Sequence, residues 1–165
     1  MQKMWLLRSN RGFTLVEAMV VVAIVGIMSL VSYSGFSGLL KREKVTAAAN
    51  QLMGHLKEAK MLAMEKNVSH ALDVNGNVYT TYRDTNNSCT LDANESVIHQ
   101  VNLAQDFTSV TIGGTTQFRF DTRGMPKSPG GGFAAVGITL TMAGKRQCSL
   151  TVSNSGRIDV TCQDL

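Results

Sequence analysis

Residues 11–31 read RGFTLVEAMVVVAIVGIMSLV, and the reading of this stretch decides the rest. From Ala18 to Leu40 no charged residue occurs in 23 positions. At about 1.5 Å per helical residue the run reaches roughly 34 Å, enough to cross the hydrocarbon of a bilayer. Glu17 stands at its N-terminal edge. A carboxylate in an apolar helix costs about 2.5–3.5 kcal/mol on insertion scales unless it reaches the headgroups or a cation. A secretory signal has a shorter apolar core followed by a small-residue cleavage site. Here the core is too long and no A-x-A-like site follows it. A plain signal anchor accounts for the apolar run, and near the end of the span Glu17 can reach the interface; it can also pair with a cation from another molecule. If the chain were cut between Gly12 and Phe13, the new α-amine would supply such a cation in each neighbouring copy.

The formal charge of +4 rests on 16 basic and 12 acidic side chains. Lys3, Arg8 and Arg11 precede the run, so without residues 1–12 the balance is 13 to 12, or +1. The basic pI is therefore partly a property of the N-terminus and is weak evidence for nucleic-acid binding. The same three cations predict a cytoplasmic N-terminus and an exported C-terminal part, against the pull of Lys41, Arg42 and Lys44 on the far side. Export permits a disulfide among Cys89, Cys148 and Cys162.

Gly12-Phe13-Thr14-Leu15-Val16-Glu17 followed by an apolar helix resembles the N-terminus of type IV pilins and of the related pseudopilins of type II secretion. The resemblance implies that a membrane-embedded prepilin peptidase cuts after Gly12 and methylates Phe13. It implies that Glu17 neutralises the N-terminal amine of an adjacent subunit during assembly. The peptidase is then the enzyme and this chain its substrate. One departure stands out. The helix-kinking proline common in major pilins is absent from the span, the two prolines being Pro126 and Pro129. Gly26, Gly35 and Gly38 can loosen the helix instead.

From Lys41 the chain continues without proline as KREKVTAAANQLMGHLKEAKMLAMEKN. Val45, Ala49, Leu52, Leu56, Ala59 and Ala63 recur at spacings of four, three, four, three and four, one apolar stripe on a helix. The spacing predicts a spine from about Phe13 to Lys66, roughly 80 Å long, whose second half packs on a soluble head. A two-stranded coiled coil competes, weakened by the dominance of Ala in the stripe. Met53, Met61 and Met64 read as core or near-core fillers.

After Asn67 the period becomes two. HALDVNGNVYTTYRD carries Asn75-Gly76 between alternating segments, a hairpin signal. VIHQVNLA, TSVTI, TQFRFD and AVGITLTM read as strands, while TRGMPKSPGGG reads as a loop that no regular element accommodates. QCSLTVS and RIDVTCQ close the chain as a hairpin around Asn154-Ser155-Gly156. The expectation is an α+β chain: one long N-terminal helix packed on an antiparallel β-rich head of six to eight strands. In domains, 1–12 is a cleaved leader, 13–40 the transmembrane half of the helix, and 41–165 the head, with its helix over 41–66 and its strands over 67–165.

If Ser153 and Arg157 flank the last turn, opposed residue numbers sum to 310 and Cys148 faces Cys162. Both share a face with Leu150, Val152, Ile158 and Val160, so a Cys148–Cys162 bridge is geometrically reasonable. Two reduced cysteines, or a bridge from Cys89 to one of them, remain open at this level.

FRFDTRGMPK, the Gly-rich loop, a strand and GKRQCSLTVSNSGRIDV together resemble the head of the GspH/FimT/FimU group of minor pilins and minor pseudopilins. This implies a minor subunit that sits in the inner membrane with its head in the periplasm and then enters a fibre. Its partners are the peptidase and other minor and major pilins, in priming or tip assembly of a pilus. The alternatives are a minor pseudopilin of type II secretion and a DNA-binding competence pilin. Some relatives resemble DNA receptors with a Gly-Arg-x-Arg motif. Here Gly156-Arg157-Ile158-Asp159 replaces the second cation by an acid that repels phosphate. Lys145, Arg146 and Arg157 are the candidate DNA contacts, with Arg123 and Lys127 in the adjacent loop. His55, His70 and His99 stand alone in the sequence, outside metal-ligand spacings. Gly130-Gly131-Gly132 lacks the strand–helix context of a phosphate cradle. Neither enzymatic activity nor a cofactor or metal is expected.

Overall fold

The structure is a computed structural model that describes residues 13–165, for 30–37 the backbone alone. It divides into two compact units, one ending at Gly38 and one covering Leu39–Leu165.

Helix α1, Leu15–Lys66, contributes to both. Its first turn is fixed by Thr14, whose Oγ1 accepts from the Glu17 backbone N–H at 3.2 Å. Thr14 thereby satisfies one of the donors that every helix N-terminus leaves open. In the first unit every described side chain from Phe13 to Ser29 is exposed. Among the described residues no helix is long and apolar enough to cross a membrane. The charge-free run expected to do so includes 30–37, whose side chains lie outside the description.

In the second unit α1 turns its stripe inward. Val45, Ala49, Leu52, Leu56, Ala59 and Ala63 are all buried, joined by Ala48. They pack into one core with Leu72, Tyr79, Phe118, Phe120, Ile138, Leu140 and Leu150. The stripe is thus occupied by the chain's own strands, not by a coiled-coil partner. Alanines let the strands approach the helix closely, while Leu52 and Leu56 fill the space between.

Two methionines depart from expectation. Met53 packs against the core, but Met61 and Met64 are 54% and 47% exposed. At 100° per residue they fall on the flank of the helix, away from the Ala59–Ala63 line.

Nine strands lie among the described residues, one more than the upper expectation. They are β1 (His70–Asn75), β2 (Val78–Arg83), β3 (Val97–Asn102), β4 (Thr111–Gly114), β5 (Gln117–Phe120), β6 (Pro126–Lys127), β7 (Val136–Met142), β8 (Arg146–Val152) and β9 (Ile158–Asp164). A short helix, α2 (Leu103–Asp106), follows β3. One sheet has the order β3-β2-β1-β5-β6 and the other β4-β7-β8-β9, with antiparallel pairing throughout. The additional strand is β6, inside the stretch read as irregular. Pro126 and Lys127 pair with Phe120 and Arg119 across the turn at Gly124. Proline is tolerated there because β6 is an edge strand and needs no donor on its open side.

The hairpins follow the local chemistry. Asn75 pairs with Val78, leaving Gly76-Asn77 as the two-residue loop, with Gly76 at φ +59°. At the end of the chain, Ser153 N–H donates to the Arg157 carbonyl at 2.9 Å and Val152 pairs with Ile158. That register sets Cys148 opposite Cys162, and the two form a disulfide. Cys148, Leu150 and Val152 are buried, while Ile158, Val160 and Cys162 pack against the core from the edge strand. Cys89 is buried and free, its Sγ receiving a hydrogen bond from Arg119 Nη1 at 3.4 Å. Burial raises its thiol pKa, with the Arg119 bond opposing.

The β8–β9 hairpin is fastened to α1 at both ends. Arg146 Nη1 donates to Thr46 Oγ1 at 3.2 Å, and Arg42 pairs with Asp164 at 3.3 Å. At the turn, Lys60 Nζ donates to the Gly156 carbonyl at 2.8 Å. Gly156 has φ +79°, and a Cβ there meets the Gly124 carbonyl, so the two turns close on each other over Lys60.

Candidate functional site

The first candidate site is the start of α1. Gly12, with Lys3, Arg8 and Arg11, lies outside the described residues, so the expected cleavage bond is described on its Phe13 side only. Phe13 is 79% exposed. Thr14 caps the helix, and Glu17 sits in the first turn. A carboxylate there interacts favourably with the positive end of the helix dipole. Thr14 and Glu17 also have the spacing of a capping box. Among the described residues, however, no cation lies within ion-pair distance of Glu17 and its carboxylate accepts no hydrogen bond. An exposed, unpaired acid therefore lies one helical turn from Phe13, flanked by exposed Val16, Met19 and Val20.

The second candidate, the basic patch of the head, is not assembled. Register places Arg146 opposite Asp164 and the Arg157 turn at the other end of the same strands. With about 3.3 Å per residue the two ends are roughly 20 Å apart. Lys145 and Arg146 belong to one end and Arg157 to the other. Arg146 is engaged by Asp164 at 3.5 Å, and Arg157 by Asp159 at 2.8 Å. Arg123 pairs with Asp121, and Lys127 lies over the Phe133 ring at 3.6 Å. The Asp159 that breaks the Gly-Arg-x-Arg pattern is the partner that neutralises Arg157.

A side-chain cluster escaped the sequence reading. His55 and His99 do not stand alone: their rings stack at 3.9 Å with an interplanar angle of 7°. His99 Nε2 meets Glu58 Oε2 at 2.8 Å, and His55 Nδ1 meets the Tyr79 hydroxyl at 3.1 Å. The cluster joins α1 to β2 and β3. Burial lowers the His55 pKa, His99 lowers it further, and Glu58 opposes. No group of three or more metal-ligating side chains with metal-binding geometry occurs among the described residues.

The prokaryotic N-terminal methylation motif matches residues 7–33, the segment that contains Gly12, Phe13 and Glu17. The model of the type II transport protein GspH matches residues 48–156, more than half of the chain. The chain belongs to the GspH family. It is thereby placed in the GspH/FimT/FimU group of type IV minor pilins and minor pseudopilins, structural subunits and not enzymes. Two crystal forms of the type IV minor pilin FimU of Pseudomonas aeruginosa share its fold. They have TM-scores of 0.52 and 0.54 at 15% identity, cover 70% and 72% of this chain, and are themselves covered to 91% and 89%. The minor pseudopilin EpsH of the Vibrio cholerae type II secretion system matches at 10% identity with a TM-score of 0.48, over 72% of this chain and 94% of EpsH. No curated protein matches the chain. Membership of the GspH family brings with it interaction with other pilins and processing by a prepilin peptidase.

Proposed function

We propose that the chain is a minor type IV pilin, cut between Gly12 and Phe13, methylated on Phe13, and used in priming or tip assembly of a pilus. In this reading 1–12 is the leader and 13–40 holds the protein in the inner membrane. Residues 41–165 form the periplasmic head until the subunit enters a fibre. The observation that carries it is the exposed Glu17, without an ion-pair partner among the described residues, one turn from Phe13. In this reading its negative charge pairs with the new α-amine of a neighbouring copy. In an apolar surround such a pair is far stronger than in water, which makes it a register mark between helices.

The test is Glu17→Ala in the native host. Cleavage at Gly12 is expected to persist while incorporation into fibres falls at least about ten-fold, the size of a 1.4 kcal/mol change in an association constant. Normal incorporation of the variant overturns the assignment. A minor pseudopilin of type II secretion is the second reading, favoured by the description of the matched family. Deletion separates the two: loss of surface pili supports the first, loss of exported proteins with pili intact the second.

A further inference from the structure

Beside the Gly156 turn lies a groove of about 300 Å³ between α1 and β9. Its wall carries Lys57, Lys60 and Arg157, and its apolar lining is Met61, Met64 and Ile158. No carboxylate lines it. Lys60 is held in place by the Gly156 carbonyl and keeps two further donors on its ammonium. Arg157, 77% exposed, is held by Asp159 through one side of its fork. Lys57 pairs with no carboxylate among the described residues. Lys60 and Arg157 are thus positioned before anything binds, which lowers the entropy lost on binding. The two exposed methionines offer an adaptable, polarisable apolar surface beside them.

We infer that this groove docks an acidic peptide segment of a neighbouring pilin subunit, with an aliphatic side chain on the methionines and carboxylates on the lysines and Arg157. Charge complementarity selects the occupant, since three cations and no carboxylate line the groove. Nucleic acid is disfavoured on the same surface because the lining offers no aromatic ring for base stacking. That the neighbour is a pilin rests on the function proposed above. The chemistry of the groove does not, and the following titration reads it independently of Glu17.

The full chain in detergent micelles, with its methionine methyls labelled with carbon-13, is titrated with the capped peptide acetyl-Glu-Leu-Glu-amide and followed by NMR. The Met61 and Met64 signals are expected to shift saturably while the core-packed Met53 stays unmoved. Apparent affinity is expected to fall at least about five-fold in the K57E/R157E double variant, and to weaken as salt screens the exposed charges. Both substituted side chains are exposed, so an unchanged melting curve checks that the fold is retained. Equal shifts with acetyl-Gln-Leu-Gln-amide, or no shifts with the acidic peptide, overturn the inference. So does tighter binding of a thymidine oligonucleotide at the same methyls. Self-association through these methyls without peptide overturns it in favour of a second copy of this chain.

Discussion

The two halves of α1 form one continuous helix but differ in apolar content and have opposite surroundings. From Leu15 to Met28 the large apolar side chains are exposed, Val22 at 70%. From Val45 to Ala63 the stripe is fully covered by strands of the same chain. The difference lies in pattern. The second half is apolar on one face, so one sheet-facing side suffices to bury it. The first half is apolar all round, a composition that only a fully apolar environment satisfies. A chain that can bury the second half by itself has to find the surroundings of the first half elsewhere.

Paired substitutions test this contrast most sharply. Leu52→Ala removes a fully buried side chain and is expected to destabilise the head by about 2–5 kcal/mol, whereas the exposed Val22→Ala is expected to stay within about 0.5 kcal/mol. Urea midpoints in micelles measure both, and a large effect of Val22→Ala breaks the contrast. Replacing both cysteines of the Cys148–Cys162 bridge by serine is expected to cost about 3 kcal/mol, the value for closing a loop of this size, separation 14. A head equally stable without the bridge shows that register and packing alone hold β9.

The smallest effect concerns pH. The His55 pKa lies below its ordinary 6.5 in the folded chain, chiefly through burial, with His99 adding and Glu58 opposing. The folded state therefore binds its proton less readily than the unfolded chain. Stability is fully present above pH 6.5 and declines as pH falls from there through the lowered folded value. His70, also lowered by burial, acts in the same direction. A urea midpoint that falls less between pH 7.5 and 5 in His55→Gln than in the parent supports the assignment to His55. Parallel curves exclude it.

Legibility followed the range of the interaction. The stripe on α1 and the last hairpin are written in neighbouring residues and fixed spacings, and both are visible in the sequence. The 310 register also contains the separation of Arg146 from Arg157, because it sets Arg146 against Asp164 at the far end. A patch drawn from composition alone merges what that register keeps apart. The His55–His99 stack and the short β6 depend on which strand passes over which turn of the helix. No local spacing encodes that crossing. Met61 and Met64 stay outside the core because angular position on the helix, not residue type, sets the face a side chain occupies.

The fastening of β8–β9 to α1 has a mechanical consequence. From Thr46 to Lys60 the helix rises about 21 Å, and β8 advances roughly 20 Å over Arg146–Val152. The hairpin is therefore a splint of matching length, tied at Thr46 by Arg146 and at Gly156 by Lys60. The Cys148–Cys162 bridge holds the two strands of that splint in fixed register. Tension drawn along the helix is then shared between a coil of hydrogen bonds and a covalently locked ribbon.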